Sequence, residues 1–105
     1  ANKASSNVGL VDRSIASLSG SSQLLMAENE TRGALYIMNT GNANIGIAFA
    51  PIGGTATASI ASGGTYTLVP TGSLTAGDGG FIPTNAIYVI GTIGQPVTAS
   101  ETVNA

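Results

Sequence analysis

Apolar and polar positions alternate along most of this chain, and the clearest stretch is Arg32–Phe49, RGALYIMNTGNANIGIAF. Leu35 and Ile37 alternate with Tyr36 and Met38, and Ile45, Ile47 and Phe49 alternate with Gly46 and Ala48. A period of two is the signature of a strand with one buried face. Between the two runs lies Asn39-Thr40-Gly41-Asn42-Ala43-Asn44, rich in residues that tolerate positive φ. The stretch therefore predicts a central β-hairpin, to which other strands add.

The same reading extends to both ends. Residues 1–20 are read as an extended N-terminal arm, with a short strand at Val8, Leu10 and Val11 ending near Asp12-Arg13. Leu10, Val11, Ile15 and Leu18 are apolar residues scattered in this polar segment, and they are candidate contacts to a partner. Ser22–Ala27 predicts a strand, and the charged stretch from Glu28 to Gly33 a solvated turn in which Arg32 pairs with a neighbouring carboxylate. Ala56–Ala61 and Thr65–Val69 predict a second hairpin about Ser62-Gly63-Gly64, with Phe49 and Tyr66 in the core. Pro70–Gly80 predicts a Gly-rich surface loop. Asp78 within it and Phe81 just after it are the remaining candidate partner contacts. Ala86–Ile90 predicts a central strand, and Gln95–Val103 a last strand that reaches the sheet edge or the surface at Glu101. Seven or eight short strands spaced by turns predict an all-β, single-domain antiparallel β-sandwich or jelly-roll-like barrel over residues 21–105. Strand order is not written in periodicity, so the two forms stay open.

Composition changes the picture in one respect. Of 105 residues only 8% are charged, with a net charge of −2, against about 25% in an average soluble domain. A neutral Ser/Thr/Gly surface offers little charge repulsion between copies, which points to self-association or docking on a larger body. Three cations give no nucleic-acid footprint. No apolar run approaches the roughly 20 residues that span a bilayer, and no signal-peptide pattern begins the sequence. With no Cys and no His, disulfides, thiol chemistry and structural zinc are excluded, and no cofactor site is expected. No acid, base and nucleophile can be grouped into a catalytic set, so no enzyme activity is expected. The phosphate-loop and calcium-loop patterns are both absent from Pro70–Gly80. Asn29-Glu30-Thr31 matches the N-glycosylation pattern, which has meaning only in a eukaryotic secretory pathway.

The order of certain segments is also distinctive. Ser22-Gln23-Leu24 and Asn29 to Arg32-Gly33 are followed by Gly53-Gly54-Thr55-Ala56. Pro83-Thr84-Asn85-Ala86-Ile87-Tyr88-Val89-Ile90-Gly91 comes next, then Gly94-Gln95-Pro96-Val97-Thr98-Ala99-Ser100-Glu101. Over roughly residues 21–101 this resembles the small β-sandwich structural proteins of tailed bacteriophages, capsid decoration or cement proteins among them. The resemblance implies a virion protein that binds the major capsid protein and bridges capsomers. It implies a homotrimer at local three-fold positions on the capsid surface, with no catalytic residues and no cofactor. A receptor- or glycan-binding module and a fibre or adhesin subunit are the alternatives.

Overall fold

The computed structural model describes residues 8–59, 65–77 and 83–104. Eight strands form within them: β1 Val8–Asp12, β2 Gln23–Met26, β3 Ala34–Met38, β4 Ile45–Phe49, β5 Thr65–Leu68, β6 Ser73–Gly77, β7 Ile87–Ile90 and β8 Thr98–Asn104. They make two four-stranded antiparallel sheets, ordered β1-β8-β3-β6 and β2-β7-β4-β5. This is the strand order of an eight-stranded jelly roll, two sheets wound from one folded hairpin. The register shows the winding. Val8 lies opposite Asn104, Gln23 opposite Val89, Leu35 opposite Ala76 and Ile45 opposite Leu68. Each pair straddles a midpoint within one residue of Ala56, so the whole chain is folded in half about that position. Successive rungs are then dealt alternately to the two sheets, and the β3–β8 and β4–β7 pairings complete each sheet.

The core lies between the sheets, where the period-two positions meet. Leu35, Ile37, Val97 and Ala99 of one layer face Ile45, Ile47, Ile87 and Val89 of the other, all buried. In β2 the ladder slips between Leu24 and Met26, and this bulge turns both Leu25 and Met26 inward. Gly91 lets the layers close at one end. A Cβ there would lie 2.6 Å from Leu18 Cδ1 and 2.9 Å from Ile45 Cγ2.

Several expectations are corrected. The stretch Arg32–Phe49 is not a hairpin, because β3 and β4 belong to different sheets. Residues 39–44 form a corner whose hub is Asn39, fully buried. Its Nδ2 donates to Ala43 O (2.8 Å) and Leu68 O (2.9 Å), and its Oδ1 accepts from Gly41 N (3.0 Å). Its backbone bonds Thr71 and Gly72. The side chain thus satisfies backbone groups that a crossing between layers leaves without ladder partners. Nor do residues 56–69 form a hairpin. Residues 56–59 have no strand pairing, 60–64 fall outside the described residues, and β5 pairs with β4 instead. Ala58 is buried and donates its N–H to Ser22 Oγ (2.9 Å), so the chain after β4 runs back to the start of β2. Ala48 is buried although its parity is the outward one of that sheet.

The expected loop 70–80 contains β6, on the far side of a tight turn. Gly72 N donates to Val69 O at 2.8 Å, Pro70 takes the second position and Thr71 the third, with φ of 68°. That is a type II turn with a β-branched residue where Gly or Asn is favoured. Nor do residues 8–20 extend as an arm. Residues 8–12 pair with β8, Ile15 bridges Val97, and Leu18 is 1% exposed within the core. Apolar residues three or four apart there fill the gap between the sheets rather than extending away. Among the described residues no helix is long and apolar enough to cross a membrane.

Candidate functional site

The most organised polar cluster surrounds Glu101, which is 1% exposed. It stands on the inward parity of β8 with Val97 and Ala99, so the expectation that the surface is reached there is corrected. Its Oε1 accepts from Arg32 Nε (2.7 Å) and Asn29 Nδ2 (3.0 Å), and its Oε2 accepts from Arg13 Nε (2.9 Å). Burial alone would raise this carboxyl. The bonds from Arg32, Asn29 and Arg13, with the Arg32 charge, outweigh burial and hold it below the usual glutamate range.

Arg32 uses four of its five N–H donors here. Beyond Glu101 it donates to the carbonyls of Pro83 (2.7 Å), Asn85 (3.1 Å) and Ala27 (2.9 Å). The pairing with a carboxylate expected for Arg32 is therefore present, with a partner 69 residues away rather than Glu28 or Glu30. Glu28 instead accepts from Gly53 N at 2.7 Å. Asn29 also donates its backbone N–H to Thr84 O (2.9 Å) and accepts from Thr31. The Asn29 amide nitrogen, the glycosylation acceptor atom, is thus already committed to Glu101.

The cluster ties β8, the β2–β3 connection and residues 83–85 together at one end of the sandwich. Three charge-assisted or amide donors on one buried carboxylate make it a strong tie between these segments. Asp12, exposed on β1, is held below its usual range by the Ser14 side chain first and then by the Ser14 N–H, which donates to Oδ1 at 2.9 Å. Among the described residues no group of three or more acidic side chains could hold a metal ion.

The second feature is the outer face of the β1-β8-β3-β6 sheet. Its outward positions are Leu10 and Asp12 of β1, Thr98, Ser100 and Thr102 of β8, Ala34, Tyr36 and Met38 of β3, and Ser73, Thr75 and Gly77 of β6. Asp12, on an edge strand, is the one ionised side chain in that set. Tyr36 and Met38 are exposed at the centre, ringed by hydroxyls, and Leu10 is 67% exposed at the border.

The candidate contact residues divide accordingly. Leu10 is on this face. Val11 and Ile15 are half-buried, and Ile15 packs against the core. Leu18 is internal and presents nothing to a partner. Asp78 and Phe81 lie outside the described residues. Tyr66, expected in the core, is 56% exposed; its ring stands edge-on to Phe49 with centroids 5.7 Å apart. Beside this pair, between the edges of the two sheets, is a cavity of about 520 Å³ lined by Leu35, Phe49, Tyr66, Leu74, Ala76 and Pro83 among others.

Sequence reading missed Asn39 and the place of Glu101. For Glu101 the signal was present: its parity matched Val97 and Ala99, and a lone acid on an apolar face requires a buried cation.

No family model matches this chain, and no curated protein matches it. Among solved structures it is similar to a chain described in the words "Bacillus endospore appendages form a novel family of disulfide-linked pili". The identity is 15%, the TM-score is 0.49, and the match covers 97% of this chain and 91% of that one.

Proposed function

We propose that this chain is a structural virion protein that decorates a bacteriophage capsid, binding the major capsid protein and bridging capsomers. The observation that carries the reading is the neutral outer face of the β1-β8-β3-β6 sheet, with Tyr36 and Met38 set among Ser and Thr hydroxyls. Interface cores are poor in charge and rich in Tyr and Met, and their rims hydrogen-bond through small polar groups. The motif order shared with phage structural proteins supports the same reading. Asn29, Arg32, Pro83, Asn85 and Glu101, all positions of that order, meet in the one buried cluster. Jelly rolls also occur in viral capsid domains, a likeness of fold that serves here only as analogy. In this reading the cluster holds the sandwich rigid, and the face above β3 does the binding. The protein carries out no reaction.

The test is add-back. Particles are assembled without this chain, purified, mixed with it and sedimented. Saturable co-sedimentation with the heads, together with a rise in their heat resistance, is the expected result. A chain that stays in the supernatant at every concentration overturns the reading.

A further inference from the structure

We infer that two copies of this chain pair edge to edge along β6, antiparallel about a two-fold axis at Thr75. The inference concerns self-association and stands apart from the capsid reading. Strand β6, Ser73–Gly77, has one ladder partner among the described residues, β3, and is an edge of its sheet. Edge strands in natural proteins are blunted by charges, prolines or bulges, because their unpaired N–H and C=O groups template further pairing. Strand β1 ends in Asp12-Arg13, and β2 carries a bulge and is followed by Glu28. Neither β6, SLTAG, nor the remaining edge, β5, TYTL, has these devices, and β6 is the one in which large and small apolar residues match when the strand meets its own copy.

Its pattern is self-complementary. With Thr75 opposite the second copy's Thr75, Leu74 falls opposite the second copy's Ala76, and Ser73 opposite Gly77. Every rung is uncharged, and each apolar rung sets a large side chain against a small one. Leu74 and Ala76 face the interior side, while Ser73 and Thr75 are exposed on the outer face. The parity is kept across the dyad, so the second copy's Leu74 and Ala76 would point to the same side as the first copy's.

On that side lies the cavity of about 520 Å³, where Phe49 and Tyr66 stand incompletely covered. An added strand therefore gains backbone hydrogen bonds and apolar burial together, the two terms on which strand addition rests. The product is a continuous eight-stranded sheet across a closed, isologous dimer. With 8% charged residues and a net charge of −2 per chain, little repulsion opposes it.

Light scattering behind size exclusion, across a concentration series of the full chain, is the experiment. The pairing predicts a mass rising from 10.3 kDa to two such chains, about 21 kDa, with increasing concentration. Thr75→Lys places like charges directly opposite at the dyad, and because Thr75 is exposed the monomer fold is left intact. It should raise the dimer dissociation constant roughly fivefold or more. Thr75→Glu should do the same, and an equimolar mixture of the two should regain the dimer. Should Thr75→Lys lower the melting temperature, Thr75→Glu and the mixture still decide the matter. A monomer at all concentrations, a trimer, or a dimer indifferent to both substitutions overturns the inference.

Discussion

Replacing Glu101 by Gln tests whether the buried cluster holds the sandwich together. The substitution keeps the shape and most acceptor geometry and removes only the charge. Arg32, its side chain fully buried and committed to Glu101 and three carbonyls, is left as a cation whose one remaining carboxylate within the cluster is gone. Arg13 loses less, since its side chain is 40% exposed and water can solvate it. Breaking a buried pair by neutralising one partner typically costs about 3–5 kcal/mol. Domains of this size are stable by only about 5–15 kcal/mol. The urea midpoint of Glu101→Gln should therefore fall by about 1.5–5 M, taking a slope near 1–2 kcal/mol/M for a small domain.

The acid response supplies a second readout. The folded-state pKa of Glu101 is depressed, so the unfolded chain binds more protons between the two values. The stabilisation is complete above the ordinary glutamate range and is lost as pH falls through the depressed folded value. Wild type and Glu101→Gln should thus differ most near neutrality and converge in acid. Asp12 is depressed too, but it is present in both proteins and cancels in the difference. Equal midpoints at pH 7, or a gap that does not narrow in acid, would refute the reasoning.

Other substitutions probe separate links of the fold. Thr71→Asn should stabilise by about 1 kcal/mol, seen as a raised urea midpoint at constant slope, because it relieves a β-branched residue at φ of 68°. Gly91→Ala should destabilise by about 1–3 kcal/mol in the same assay, since the added methyl overlaps Leu18 and Ile45 within a closed core. Tyr36→Ser with Met38→Ser should leave the thermal midpoint within a few degrees, both side chains being exposed on the outer face.

The strands themselves were legible in sequence wherever large residues alternate, as at Leu35 and Ile37, Ile45 and Ile47, and Ile87 and Val89. Their pairing was not, because ladder partners lie up to 96 positions apart, as Val8 and Asn104 do. Asn39–Asn44 has the composition of a hairpin turn, and local propensity favours that reading. The buried Asn39 side chain instead satisfies a corner between sheets, which only the three-dimensional path reveals. Strand β6 was hidden because Leu74 is its one large apolar residue and glycines flank it. The contact residues fared unevenly for a physical reason. Apolar residues in a polar segment mark either a partner surface or the protein's own core; Leu18 belongs to the core, whereas Leu10 stands exposed.

The central claim, docking through the neutral face of the first sheet, is tested most directly by the affinity of the Tyr36→Ser, Met38→Ser double variant for heads assembled without the chain. The account predicts a folded protein whose binding is weakened by at least about tenfold, the loss of two central anchors worth about 1 kcal/mol or more each. Binding to the heads equal to that of wild type would contradict it.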